Sequence, residues 1–399
     1  MKKILKFFRV REKSDIWISI ATISLALFGL VMAISASMTT ASNSSKILIV
    51  TTIKQFVYFA AGYGGMVFAS KHFNFKKLKN LIFPISIIMI VLLLSTLFFE
   101  EVNGAQAWIR LRPAGISFTI QPSEFAKLTS ILLAAVFVGD VSLNTQRSGT
   151  EILKKPLYII FIQAFIILIL QSDLGSAIVF LLIMAMVLLI PAHPKIKIHQ
   201  NIVIILFILG LVGTTFLLTD KGLALIESVG IFKGYKLARF MDYANPFLDR
   251  TAGGFQLAGS LVAFSRGSIF GSGLGHSIQK YGYLPEASTD FILSLIAEET
   301  GFVGVMLVMI LYFILIYRLI YFAMKVRSEK DKMVLFGTAA FLFVHILFNV
   351  GGITATIPLT GVPLLLLSSG GSSTMAIMLA IGISQNIISK HKIRMQVNR

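Results

Sequence analysis

The stretch Asn201–Thr219, NIVIILFILGLVGTTFLLT, has no charged residue, and Phe302–Met324, FVGVMLVMILYFILIYRLIYFAM, has only Arg318. A helix needs about 20 apolar residues to cross the hydrocarbon core of a bilayer, and both runs reach that length. Hydrophobic residues make up 56% of the 399 positions and charged residues 14%. A soluble domain carries about 25% charged residues to cover its surface. The sequence therefore predicts a polytopic membrane protein.

Ten such runs occur along the chain. Each is predicted to be a helix, because a backbone cannot leave its polar groups unpaired in lipid. We predict an all-α integral membrane fold, a single polytopic domain over residues 1–399 with ten transmembrane helices and both termini in the cytoplasm. The predicted spans are Ile16–Ser37, Ile47–Ser70, Leu81–Phe99, Phe125–Val141, Pro156–Leu170, Gly175–Ile190, Asn201–Thr219, Phe291–Met324, Met333–Ile353 and Thr374–Ser389.

The distribution of basic residues predicts the orientation. The chain has 36 Lys and Arg against 18 Asp and Glu, and this excess invites a nucleic-acid-binding interpretation. However, 23 of the 36 lie in segments on one side of the predicted spans. The other side has 10, of which 7 lie in one long loop. This is the positive-inside pattern, which places the basic tail 1–15 and the short loops in the cytoplasm and requires no nucleic-acid partner.

Two other features of the chain limit its class. The basic N-terminus followed by an apolar run is similar to a signal peptide. Its apolar run of about 22 residues exceeds the 7–15 of a signal sequence, so we predict an uncleaved first span. Because the chain has no cysteine, disulfides and thiolate metal sites are excluded.

Three polar segments lie on the predicted outer side. They are Glu100–Ser123, Asp220–Thr289 and Thr354–Gly371, of 24, 70 and 18 residues. Connections longer than about 15 residues are usually functional or disordered, and these are too rich in apolar and aromatic residues for disorder. The large extracellular loop 220–289 is predicted to carry two interfacial helices, Gly222–Tyr243 and Gly254–Arg266. We therefore expect the chemistry at the outer face.

Asp290 ends the long loop where a span begins. It is a favoured helix-capping residue, although the Glu or Gln of a capping box is replaced by Leu293. The alternative is a carboxylate at the membrane surface that acts as a general base on a sugar hydroxyl. Glu298 and Glu299 follow about 12–14 Å deeper along the helix, where acids usually face a cavity or a partner.

Other candidates have a structural and a functional interpretation. Lys127 lies one turn from Glu124, so the two side chains either satisfy each other or hold an anionic ligand. The four glycines between Gly267 and Gly275 form tight turns or let backbone approach backbone or ligand closely. Ser372 belongs to a serine-rich run that caps the last span or presents hydroxyls and N–H groups to a phosphate. The six histidines form no ligand spacing, and no Ser/His/Asp set can be assembled.

Several polar runs occur in a fixed order between about residue 100 and residue 373. They include Asn103-Gly104-Ala105…Trp108-Ile109, Gln121-Pro122-Ser123-Glu124…Lys127, Asp173-Leu174-Gly175, Gly273-Leu274-Gly275…Ser277…Gln279-Lys280, Tyr283-Leu284-Pro285-Glu286…Thr289-Asp290-Phe291, Glu298-Glu299…Gly301-Phe302, Asn349, Pro358…Thr360-Gly361-Val362-Pro363 and Ser368…Gly370-Gly371-Ser372-Ser373. This ordered set resembles the SEDS family of peptidoglycan glycosyltransferases (FtsW, RodA and SpoVE) and is nearest to the FtsW/SpoVE branch. Departures from the family pattern are Ala107, Ser172, Ser288, His345 and Ser369, where the family has Arg, Pro, His, Gln and Tyr. The missing Arg leaves the cation that meets the pyrophosphate undecided, whereas the acidic residues are kept.

The resemblance implies polymerisation of lipid II into β-1,4-linked glycan at the outer face of the cytoplasmic membrane, in cell division. Asp290 is the predicted catalytic base. The predicted substrate-binding residues are Trp108, Arg110, Glu124, Lys127, Arg266, Lys280, Glu286, Glu298 and Ser372.

Cofactor, partners and alternatives also follow from the resemblance. A divalent cation, Mg²⁺ or Mn²⁺, is consistent with the family, although no ligand cluster is visible, and no organic cofactor is expected. The implied partners are a class B penicillin-binding protein and other membrane proteins of cell division. One alternative is a lipid II flippase in which Glu298, Glu299 and Lys127 form a translocation path. Another is a non-catalytic scaffold in which Asp290 is dispensable.

Overall fold

The computed structural model describes residues 10–38, 45–112, 117–142, 144–217, 253–282 and 286–397, with residues 219, 221–222, 243, 247 and 284. Eleven α-helices and one two-stranded ribbon are found in this part of the chain. They are α1 (Ile16–Ser37), α2 (Ser45–His72), α3 (Phe75–Ser95), β1 (Ile109–Leu111), β2 (Phe118–Ile120), α4 (Pro122–Phe137), α5 (Gly149–Phe165), α6 (Leu174–Leu188), α7 (Lys197–Leu217), α8 (Gly253–Gly267), α9 (Ile292–Lys325), α10 (Glu329–Ile353) and α11 (Gly371–Val397).

Each predicted span coincides with one helix, and the chain is a predominantly helical, multi-pass membrane protein. Seven helices of the described chain are long and apolar enough to cross a membrane: α1, α3, α5, α7, α9, α10 and α11. The other three predicted spans do not reach that standard. Helices α4 and α6 have only 16 and 15 residues, and α2 is longer but less apolar.

The long loop contains a helix that the sequence predicted, and the first outer segment contains a β-ribbon that it did not. Helix α8 is the second of the two predicted interfacial helices, whereas most of the first, Gly222–Tyr243, lies outside the described residues. The prediction of an all-α fold missed the antiparallel ribbon, in which Ile109 pairs with Ile120 and Leu111 with Phe118. Strands of three residues are too short to show an alternating pattern in sequence.

Helix α11 lies at the centre of the bundle. Its most extensive contact is with α2, and small residues bring the two backbones together. A Cβ added to Gly382 would lie 2.3 Å from the carbonyl oxygen of Met66, and one added to Gly371 would meet the ring of Tyr58 at 2.3 Å. Helix α7 contrasts with α11, because none of its residues is buried. The bundle is therefore packed around α11, and α7 lies at its periphery.

Candidate functional site

A cavity of about 1800 Å³ lies where the predicted outer segments meet the helix ends. Glu286 and Asp290 line it from the end of the long loop, Trp108 and Arg110 from the first segment, and Ser372 from the start of α11. Other parts of its wall are apolar and come from α6 and α7: Ile178, Leu182, Leu206, Phe207 and Leu211. The cavity thus joins polar loops to an apolar space between two helices.

Asp290 is held by its backbone at the edge of this cavity. Helix α9 begins at Ile292 and its N-cap residue is Phe291, which makes no side-chain capping bond. The assigned N-cap residue of α9 is thus the one after Asp290. The carbonyl oxygen of Asp290 accepts a hydrogen bond from Nδ2 of Asn349 at 2.7 Å, and the same amide donates to the carbonyl of Val362 at 2.9 Å. Asn349 ties Asp290 to the third outer segment.

The residues just before Asp290 are fixed by the serine-rich run. The backbone N–H of Ser369 donates to the carbonyl of Ser288 at 2.8 Å, and Oγ of Ser368 donates to the carbonyl of Thr289 at 2.7 Å. Within the same turn, Oγ1 of Thr289 donates to Oε2 of Glu286 at 2.8 Å. Two chain segments that are distant in sequence therefore orient the turn that carries Asp290.

Ser372 fastens the β-ribbon to the bundle. Its Oγ accepts a hydrogen bond from the N–H of Gln121 at 2.9 Å and donates to the carbonyl of Thr119 at 3.4 Å. The hydroxyl of Tyr58 on α2 accepts from the N–H of Thr119 at 2.9 Å. Ser372 lines the cavity, but its hydroxyl is engaged by the ribbon.

Glu124 and Lys127 form an ion pair that does not line the cavity. Nζ of Lys127 lies 2.6 Å from Oε1 of Glu124, and both side chains are 1% exposed. Nζ also lies 2.9 Å from Nε2 of His345, whose Nδ1 is 3.0 Å from the carbonyl of Pro363. Of the two interpretations of Lys127, the geometry favours the internal pair. Through Pro363, which lines the cavity, this pair supports the wall from behind.

Glu298 is a buried acceptor for the long loop. Its carboxylate accepts from the hydroxyl of Ser277 and from the N–H groups of Ile278 at 3.1 Å and Gln279 at 3.2 Å, and it forms an ion pair with Arg266, whose Nε lies 3.3 Å away. A carboxylate at this depth is stable because three hydrogen-bond donors and one cation surround it. Neither Glu298 nor Arg266 lines the cavity.

Glu299 binds the same loop through a lysine. Nζ of Lys280 lies 3.0 Å from Oε1 of Glu299, and Oγ of Ser35 on α1 donates to the same oxygen at 2.7 Å. Lys280 contributes to the cavity wall, yet its side chain is fully buried and its ammonium also donates to the carbonyl of Gly275 at 2.8 Å. Its charge is therefore directed at Glu299.

The glycine-rich stretch is packed against a break in α9. At Gly301 the φ angle is +67°, outside the helical region, and the break frees carbonyls of the helix. Those of Glu298 and Glu299 accept from the N–H groups of Ser272 at 2.9 Å and Gly273 at 3.0 Å. A Cβ on Gly271 would lie 2.3 Å from the carbonyl oxygen of Glu299. These glycines allow backbone to approach backbone.

Several polar cavity residues were not among the predicted site residues, and three of them make contacts that bear on the site. Lys54 on α2 lines the cavity, with Nζ 5.9 Å from the ring centroid of Tyr58. Gln121 and Asp173 line it as well and are joined by a hydrogen bond of 3.1 Å from Nε2 to Oδ2. Asp173 also caps α6. The signal in the sequence was a lysine within an apolar run, which snorkelling also explains.

The described residues show no group of three or more His, Asp or Glu side chains able to hold a metal ion. The carboxylates in the cavity wall do not form such a group with one another. They are those of Glu101, Asp173, Glu286 and Asp290. These side chains alone do not fit a resident cation.

Comparison with known proteins gives consistent results. The family description "Cell cycle protein" (FtsW, RodA, SpoVE) matches residues 16–393. The probable peptidoglycan glycosyltransferase FtsW of Bacillus subtilis (strain 168) is 35% identical over 97% of this chain and 92% of its own. A solved structure described as a peptidoglycan synthase complex that coordinates polymerisation and crosslinking matches with a TM-score of 0.69 and 26% identity over 96% of this chain and 99% of that one. The rod shape determining protein RodA of Thermus thermophilus matches with a TM-score of 0.63, 24% identity and 96% and 97% coverage, so it supports the fold alone.

Proposed function

The chain belongs to the FtsW, RodA and SpoVE family of cell cycle proteins, and on that premise we propose that it polymerises lipid II. It is a peptidoglycan glycosyltransferase of cell wall synthesis and division. The observation that carries the proposal is the cavity that joins Asp290 to the apolar space between α6 and α7. Such a cavity suits a substrate with a polar sugar pyrophosphate and a long lipid tail.

In the proposed reaction Asp290 is a general base. Its carboxylate takes the proton from the 4-hydroxyl of the acceptor GlcNAc while that oxygen attacks C1 of the donor MurNAc. The C1–O bond to the α-linked pyrophosphate breaks, undecaprenyl pyrophosphate leaves, and a β-1,4 bond forms with inversion. A positioned base typically contributes roughly 10²–10⁴-fold to the rate. The hydrogen bonds from Asn349, Ser368 and Ser369 support this role by fixing the turn that carries Asp290.

The leaving pyrophosphate needs positive charge. Lys127, Arg266 and Lys280 each face a carboxylate inside the protein, which weakens their candidacy. Arg110 and Lys54 line the cavity. Arg110 pairs only loosely with Glu100, at 3.4 Å and with that carboxylate 82% exposed. We therefore propose Arg110 and Lys54 as the groups that meet the pyrophosphate, and Trp108, Glu286 and Ser372 as the polar wall around the sugars.

The setting of the reaction is also proposed. We propose ten membrane spans with cytoplasmic termini and the cavity at the outer face of the cytoplasmic membrane, and the positive-inside distribution of the basic loops supports this orientation. The structure in which polymerisation and crosslinking are coordinated supports a partner that crosslinks the glycan. We propose a class B penicillin-binding protein for this partner.

The test is polymerisation of labelled lipid II by the purified chain together with its penicillin-binding protein. Asp290→Asn keeps the shape of the side chain and removes the base, so the rate is expected to fall at least about 100-fold. Asp140→Asn is the matched control, because Asp140 pairs with Lys79 and Lys330 far from the cavity wall. Equal glycan from wild type and Asp290→Asn would remove the base assignment.

Two further arms separate the alternatives. Addition of EDTA, followed by Mg²⁺ or Mn²⁺, tests whether a cation acts together with the substrate. Lipid movement across vesicles without glycan from either protein would favour a flippase. The buried pairing of Glu298, Glu299 and Lys127 argues against a path lined by these charges.

A further inference from the structure

A second pocket lies at the opposite end of the bundle, on the side of the basic loops. Its volume is about 600 Å³. It lies between the segment before α1, the last turns of α9 and the end of α11. Its lining residues are Lys13, Ser14, Arg318, Tyr321, Phe322, Lys325, His391, Lys392, Met395 and Gln396. The wall includes four cations and no carboxylate.

The positive charge of this pocket is not balanced from within. Beneath it, Asp15 pairs with Arg318 and lies 3.4 Å from Nζ of Lys392. Lys325 contacts the hydroxyl and the ring of Tyr321, with Nζ 4.3 Å from the ring centroid. No ion pair is found for Lys13 or Lys325 among the residues that the structure describes. Asp15 is thus paired with two of the four cations, and Asp331 acts on His391 in the wall, so positive charge remains in excess and favours an anionic ligand.

An apolar surface adjoins the pocket. Phe313, Tyr317 and Tyr321 follow one another at successive turns of α9, with ring centroids 6.0 and 6.2 Å apart. Phe313 is 68% exposed and Tyr317 is 52% exposed, so this row faces outward from the bundle. Exposed aromatic and apolar side chains beside a cluster of cations at the end of a span fit both parts of a membrane lipid.

We propose that this pocket binds the phosphate of an anionic phospholipid, with an acyl chain along Phe313 and Tyr317. The cations of Lys13, Arg318, Lys325 and Lys392 surround the headgroup at the level where the anionic leaflet begins. The site is separate from the cavity that contains Asp290, and it goes beyond the proposed transferase activity. It would make the packing of α1, α9 and α11 dependent on lipid composition.

The test uses the full-length protein purified in a mild detergent. Melting temperature and retained lipid, counted by mass spectrometry, are measured with phosphatidylglycerol and with phosphatidylcholine. We expect phosphatidylglycerol alone to be retained and to raise the melting temperature. The variant Lys13→Gln/Lys325→Gln should need roughly tenfold or more phosphatidylglycerol for half-saturation, because each cation near an anionic surface contributes about 1 kcal/mol.

The matched control is Lys76→Gln/Lys77→Gln, which removes the same charge from an exposed turn of α3. A second variant, Met395→Glu, adds a carboxylate at the pocket while the chosen lysines stay in place, and it should also weaken retention. If the double variant and the control retain phosphatidylglycerol equally, the proposal fails. It also fails if inorganic phosphate stabilises the protein as well as the lipid does, or if the double variant loses only its penicillin-binding protein.

Discussion

The buried carboxylates of Glu298 and Glu299 are held in position by hydrogen-bond donors from other parts of the protein. Glu298 is 0% exposed and accepts hydrogen bonds from the loop segment 277–279, and Glu299 is 1% exposed and accepts from Ser35 of α1 and from Lys280. Leaving such a carboxylate without partners in an apolar interior costs several kcal/mol. The two acids therefore fix the position of the long loop and do not line a translocation path. This is why a residue that looks like a ligand in sequence is a structural anchor in the fold.

Asn349 is expected to position Asp290. Asn349→Ala removes donors to the carbonyls of Asp290 and Val362, so we expect a stability loss of about 1–3 kcal/mol and a fall in turnover of at least tenfold. Asn386→Ala is the matched control, because this buried amide donates to the carbonyl of Ser70 at the other end of the bundle. Melting and lipid II polymerisation are measured for both. A similar loss of turnover in the two variants would mean that Asn349 acts only through stability.

The buried pair of Glu124 and Lys127 has a testable energetic signature. Lys127→Met alone leaves a carboxylate uncompensated and should destabilise the protein by about 3–5 kcal/mol. The double variant Glu124→Gln/Lys127→Met removes both charges and should recover most of that loss. Thermal unfolding of the two single variants and the double variant completes the cycle. If the losses are additive, the pair does not interact as its 2.6 Å distance implies.

At the scale of elements, helix α9 organises the site. Its break at Gly301 exposes helix carbonyls to the glycine-rich stretch, and Asp290 and the buried acids precede the break. Helix α8 is joined to the same region, since Oγ of Ser260 lies 2.7 Å from Oγ of Ser294 and donates to the carbonyl of Ile353 at 2.7 Å. A change in the conformation of this break is therefore expected to shift the glycine-rich stretch and α8 as well.

Gly301→Ala tests the close packing of this break against the glycine-rich stretch. The added Cβ would lie 2.4 Å from both the N of Gly271 and the carbonyl oxygen of Ile269, at a φ angle that alanine disfavours. We expect a loss of at least about 3 kcal/mol and loss of polymerisation. Gly213→Ala on α7 is the control, because its Cβ meets nothing within 4 Å and the residue does not line the cavity, and its effect should stay within about 1 kcal/mol. Equal melting temperatures for the two variants would show that this packing is not close.

At the scale of the whole molecule, Asp15 joins distant parts of the chain. It caps α1, pairs with Arg318 of α9 and with Lys392 of α11, and its N–H donates to Oε1 of Gln385 at 2.7 Å. Burial opposes ionisation of Asp15, but the hydrogen bond from Arg318 and the charges of Lys392 and Arg318 outweigh it. The pKa of the carboxyl is lowered as a result.

The ion pairs of Asp15 predict that the stability of the fold depends on pH. A carboxyl whose pKa is lower in the folded state stabilises the fold above its unfolded pKa, and the gain is lost as the pH falls through the folded value. Asp15→Asn is therefore expected to cost about 2 kcal/mol near pH 7, and its difference from wild type should narrow below about pH 4. Unfolding in detergent between pH 3 and pH 8 measures this, with the exposed Glu12→Gln as control. A constant difference over that range would contradict the assignment.

The sequence by itself determined the class of fold, the helices and, through its motifs, the family. Apolar runs specify membrane helices because lipid leaves the backbone no other partner, and each predicted span became a helix. The order of polar motifs around Trp108, Glu124 and Asp290 likewise predicted the family. These are local properties, carried by composition and spacing.

Only the tertiary structure decided which polar residues line the cavity. Lys54, a lysine within an apolar run, lines the cavity, whereas Glu298 and Lys127 were candidate ligands in the sequence and are paired within the bundle. The ribbon β1–β2 and the break in α9 at Gly301 also had no periodic pattern in the sequence. In each case the partner is far away in the chain, so the position of a charge depends on which helices pack together. That packing is a property of the whole bundle and not of any one segment.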